Sequence, residues 1–75
     1  MKTLAIDAGR QDKLRAGDIL GALTGEAGLQ AGEIGKIDLF PTRAYVAISR
    51  ERFDAALQQL RNGRIKGRNF RVRSL

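Results

Sequence analysis

Four stretches of this chain alternate apolar and polar residues, and two others repeat apolar residues at the helical period. The order in which these patterns follow one another restricts the fold more than any other feature. "KTLAID" (2–7) places Leu4 and Ile6 on one side and Thr3, Ala5 and Asp7 on the other, as a strand does. After the glycine-containing loop "AGRQDK" (8–13), Ala16, Leu20, Leu23 and Ala27 recur at helical spacing with Ile19 beside them. Asp18 suits the positive end of that helix, and Gly28 is its expected stop. "GKIDLF" (35–40) alternates again, with Ile37 and Leu39 inward and Lys36 and Asp38 outward, until Pro41-Thr42 breaks it.

"RAYVAIS" (43–49) predicts a third strand, with Ala44, Val46 and Ile48 on one face and Arg43, Tyr45 and Ala47 on the other. Ser49 is the expected cap of a second helix to about Arg61, with Phe53, Ala56, Leu57 and Leu60 as its stripe and Asn62-Gly63 as its end. "RIK" before Gly67 predicts a small hairpin with a final strand over 69–73, Phe70 and Val72 inward and Arg71 and Arg73 outward.

The order is β-α-β-β-α-β. Clean alternation means that one sheet face carries both helices and the other is open. Right-handed crossovers then put the first and third strands in the centre. The expectation is an α+β, ferredoxin-like fold: a four-stranded antiparallel sheet with two helices on one face. Seventy-five residues make it a single domain, 1–75. With no cysteine and no histidine, disulfide staples, thiol nucleophiles and Cys/His zinc sites are excluded. A reducing, cytoplasmic setting fits. No apolar run approaches the roughly 20 residues of a membrane span and no signal-peptide pattern opens the chain, so it reads as soluble, without a membrane partner; a monomer is the expectation, although no sequence feature sets the oligomeric state.

The formal charge of +6 is unevenly placed. Residues 1–42 hold five Lys/Arg against six Asp/Glu, whereas residues 43–75 hold nine against two. Such asymmetry points to a polyanionic partner, nucleic acid ahead of a membrane surface; the plainer alternative is a generally basic surface. The outward faces of the four strands sharpen the choice, for they bring Lys36, Arg43, Tyr45, Arg71 and Arg73 to one open surface. Bases stack on rings and guanidinium planes, and phosphates accept from arginine forks. Tyr45 alone could cover the sheet, and Arg71 and Arg73 alone could protect an edge. Their convergence with Arg43 and Lys36 favours binding.

Two basic loops add Arg10, Lys13 and Arg15 at the first strand–helix junction, and Arg64, Lys66 and Arg68 before the last strand. Such cations commonly position phosphates, although solvated loop charge is an equal reading for any one of them. The glycine face of the first helix (Gly17, Gly21, Gly28, with Thr24) carries no site assignment. There is no histidine base, nucleophile elbow or G-x-x-x-x-G-K-[ST] loop, so the domain itself is expected to be neither catalytic nor cofactor-dependent.

The runs "KLRAGDILGALTGEAGL", "EIGKID", "YVAI" and "IKGRNFRVR", taken together, resemble the C-terminal RNA-binding domain of DbpA-type bacterial DEAD-box RNA helicases across nearly the whole chain. The resemblance implies an RNA recognition motif (RRM). It also implies a targeting role, in which the domain grips structured large-subunit (23S) ribosomal RNA near the peptidyl transferase centre during ribosome assembly. A helicase core of the same polypeptide, not in this chain, would use ATP and magnesium. Against the RRM central-strand signature [KR]-G-[FY]-[GA]-[FY]-[VIL]-x-[FY], the match is "PTRAYVAI". Arg43 replaces the first stacking aromatic, and Ala5 stands where the first strand usually carries another. Tyr45 alone remains of three rings, so charge and RNA shape should carry more of the affinity. An RRM-like protein–protein module is the alternative when rings are lost.

Overall fold

The alternation is realised as a four-stranded antiparallel sheet ordered β2-β3-β1-β4 in a computed structural model, which describes residues 1–25, 28–63, 65 and 69–75. The strands are β1 (Lys2–Ile6), β2 (Ile34–Leu39), β3 (Ala44–Ile48) and β4 (Val72–Ser74), and the helices are α1 (Ala16–Gly25) and α2 (Arg50–Asn62). Short 3-10 turns at Arg10–Asp12 and Ala31–Glu33 precede α1 and β2. The element order and the central position of β1 and β3 are those of a ferredoxin-like α+β fold.

One face of the sheet is the core. Leu4, Ile6, Ala44, Val46, Ile48 and Val72 pack there with Ile19 and Leu23 of α1 and with Phe53, Ala56 and Leu60 of α2. Continuous apolar burial across both helices is the main term holding so small a domain together. Leu14 and Leu29, just outside α1 at either end, are also buried and anchor the helix. Gly28 adopts φ +71° while the Leu29 N–H donates to the Leu23 carbonyl at 3.0 Å. The left-handed backbone expected of Gly28 is thus present, but three residues beyond Gly25, where α1 ends, and not directly at the end of the helix. Asp18 accepts from the Arg15 N–H at 3.0 Å, satisfying one donor at the positive end of α1.

Several details differ from the sequence pattern. The buried stripe of α1 runs through Ile19 and Leu23, with Ala22 partly buried, while Ala16 and Leu20 are exposed. The helix is thus turned by about one residue, so that Ile19 faces the core in place of its neighbour Leu20. Ser49 sits at the N-cap of α2 but makes no side-chain cap bond; its N–H donates instead to the Glu33 carbonyl at 2.9 Å. The last strand is Val72–Ser74 rather than 69–73. Its pairing is carried outward by bonds from the Asp7 N–H to the Arg71 carbonyl and from the Leu75 N–H to the Thr3 carbonyl. Phe70 precedes the strand and is partly buried against the core. β2 begins at Ile34 and is bulged between Ile34 and Ile37. Ala27, Arg64, Lys66 and Arg68 lie outside the described residues, so the proposed hairpin and the loop cations before β4 do too.

Candidate nucleic-acid interface

The face of the sheet away from the helices is built in cross-strand rows. Antiparallel register aligns Asp38, Tyr45, Ala5 and Arg73 in one row, from β2 through β3 and β1 to β4. Alternation fixes the side: Leu4, Ile6, Val46 and Val72 point to the core, so their neighbours Ala5, Tyr45 and Arg73 point away. Ala5 is nevertheless only 2% exposed, although it is outside the core cluster. Its larger register partners Tyr45 and Arg73 flank it, so the alanine works as a floor between them and not as open surface.

The next row is formed by Arg43, Asp7 and Arg71. Arg43 Nη1 lies 3.4 Å from Asp7 Oδ1, and the Asp7 N–H donates to the Arg71 carbonyl at 2.8 Å. Arg43 is thus delivered to the open face as expected, but paired with a carboxylate. Lys36 is paired likewise, its Nζ 3.5 Å from Asp38 Oδ1. Exposed pairs of this kind are worth at most about 1 kcal/mol, so a phosphate can displace the carboxylate at little cost. Among the described residues no carboxylate is seen paired with Arg71 or Arg73, and both are exposed.

One end of the sheet gathers the cations. The end of β1, the β2–β3 turn and the start of β4 all lie there, and so does the loop before α1. Gly9 locks that loop to the turn: the Arg10 and Gln11 N–H groups donate to the Phe40 and Pro41 carbonyls at 3.0 and 2.9 Å. A Cβ at Gly9 would overlap the Phe40 carbonyl oxygen and stand 2.7 Å from the Arg43 nitrogen, so only glycine fits this approach. Two concavities open at this end, each of about 420 Å³. Arg10, Lys13 and Arg15 line the first, beside Leu14 and Leu39. Arg43, Arg61, Arg71 and Arg73 line the second, with Asp7 and Phe70. Among the described residues, four guanidinium groups against one carboxylate make the second cleft strongly positive, at a size within the roughly 300–1,000 Å³ of small-ligand sites.

The structure therefore brings Arg43, Tyr45, Arg71 and Arg73 together with the Arg10–Arg15 loop. Lys36 stands apart from them, near the start of the edge strand β2. Two residues join the site that the sequence pattern did not single out. Arg61, in the last turn of α2, donates from Nε to the Val72 carbonyl at 3.1 Å and so turns its guanidinium toward the β4 cleft. Its signal was faint: it follows Leu57 by four, on the flank of the apolar stripe. Phe40 is 48% exposed, and its ring contacts Tyr45 edge-on, with centroids 5.7 Å apart and planes inclined by 72°. Continuing the outward series Lys36, Asp38 by two residues would have found it. The open face thus holds two rings rather than one.

Among the described residues no group of three or more His, Cys, Asp or Glu could hold a metal, and no helix is long and apolar enough to cross a membrane. A family model described as the DbpA RNA binding domain matches residues 3–74. The ATP-dependent RNA helicase DbpA of Escherichia coli (strain K12) is 49% identical over 75 residues, which are all of this chain and 16% of that protein. The chain spans about a sixth of the relative it matches.

Proposed function

The chain belongs to the DbpA RNA-binding domain family, and from that premise we propose that it targets a tethered ATP-dependent DEAD-box helicase core to structured RNA. The RNA is the large-subunit (23S) ribosomal RNA near the peptidyl transferase centre, and the setting is ribosome assembly in the cytoplasm. The domain supplies grip and address as a monomer. ATP and magnesium belong to the core, which would act on duplex nearby.

The observation that carries this reading is the single end of the sheet where Arg43, Arg61, Arg71 and Arg73 line one cleft and the Arg10–Arg15 loop another, with Tyr45 in the same cross-strand row as Arg73. Phosphates draw on those cations and set orientation, while the two rings take unpaired bases. A surface this charged, with rings confined to one corner, suits RNA whose fold presents phosphates from several directions more than an extended single strand. Fluorescence anisotropy with a hairpin from that ribosomal region and an unstructured strand of matched composition tests the reading. The hairpin should bind more tightly by an order of magnitude or more. No binding of either RNA at low salt would overturn it and favour a protein partner for the sheet.

A further inference from the structure

The backbone of Phe40 is fully used by the fold and its side chain is not. Its N–H donates to the Arg43 carbonyl at 2.8 Å, closing the β2–β3 turn, and its carbonyl seats the Arg10 N–H. The ring is half exposed and rests against Tyr45. Arg43 pairs with Phe40 through the backbone across the turn and stands two residues before Tyr45 in the chain, its guanidinium held 3.4 Å from Asp7 on the β1 side. We propose that Phe40 and Tyr45 form a two-plane seat for neighbouring unpaired bases of an RNA strand, one base on each ring, with the strand turning between them.

The angle decides the class of ligand. Rings inclined by 72° cannot both carry bases that remain stacked on one another, because stacked bases in an A-form strand lie nearly parallel. The seat therefore selects nucleotides already splayed apart, as in a hairpin loop, a bulge or a junction. It rejects continuous duplex and helically stacked single strands. Arg43, two residues before Tyr45 in the chain, is the cation that would take the phosphate between two such bases, since its exposed pairing with Asp7 is readily exchanged. The inference rests on the RNA-binding reading above and adds to it a second aromatic contact and a shape for the bound strand.

The test uses an RNA stem–loop with 2-aminopurine at one unpaired loop position, scanned through the loop, and the corresponding uninterrupted duplex. With the unsubstituted chain, one or two positions should show a change in fluorescence on binding, and the duplex should bind at least tenfold more weakly. Phe40→Ala should weaken stem–loop binding about 5- to 150-fold and abolish the fluorescence change at one of those positions, as loss of a stacked base does. Phe40→Leu keeps an apolar cover on the turn and should lose the same signal, whereas Phe40→Tyr should keep it. Circular dichroism melts establish that the variants fold. If folded Phe40→Ala and Phe40→Leu bind as tightly as the parent with unchanged fluorescence, the seat is overturned while the RNA-binding reading stands. If the parent itself binds neither RNA at low salt, both fall.

Discussion

Gly9 has no side chain to contribute, yet the interface depends on it, because the loop bearing Arg10, Lys13 and Arg15 reaches the β2–β3 turn only where its backbone touches the Phe40 carbonyl. Gly9→Ala should therefore destabilise the domain by about 1–3 kcal/mol, the usual range for overpacking a close contact, seen as a lower midpoint in urea unfolding. At Tyr45 the expected effect is on binding instead. Tyr45→Ala should cost about 1–3 kcal/mol of RNA affinity while leaving the melting temperature nearly unchanged, and a loss near zero would make the ring mere surface cover. At this scale the sequence was informative wherever a residue's face followed from alternation. Tyr45, Arg73 and the inward set could be assigned that way. Phe40 is the last residue of its alternating stretch, and with Pro41-Thr42 breaking the pattern no following residue confirms which face it takes. The occlusion of Ala5 was hidden because it comes from larger side chains on two other strands.

β4 shows both what a pattern can locate and what it cannot. Alternation identified Val72 as core and Arg71 and Arg73 as outward, but the paired span moved toward the C-terminus because β1 supplies partners only as far as Asp7. In α1 the helical period was right and its phase was off by about a residue, since alanine and leucine at neighbouring positions satisfy nearly the same spacing. α2 keeps the expected stripe, because Phe53 is large enough to fix the phase, although Ser49 makes no side-chain cap bond; Phe53→Ala should cost about 3–5 kcal/mol of stability. The arginines of β4 predict a separable effect. Arg71→Ala with Arg73→Ala should leave stability nearly intact, weaken RNA binding at every sequence tested, and lower the slope of log K against log salt by about 1–2. An unchanged slope in binding measured over a salt series would return the pair to edge protection.

At the scale of the whole molecule, the charge imbalance between residues 1–42 and 43–75 becomes a spatial one only through topology. The crossovers that put β1 and β3 in the centre bring the β2–β3 turn, the loop before α1 and the start of β4 to one end. Cations distant in sequence meet there. The fold class was legible because six periodic segments in a fixed order leave few topologies. The gathering at one end was less so, since it depends on backbone contacts such as Gly9 against Phe40 that no periodicity records. Amide chemical-shift mapping of the isotopically labelled chain, on addition of the ribosomal stem–loop, tests the central claim most directly. The account predicts that perturbations concentrate at residues 9–15, 40–45 and 71–73, with the outer faces of both helices, around Gly21 and Asp54, nearly silent. Perturbations centred on those helix faces, with Tyr45, Arg71 and Arg73 unmoved, would contradict it.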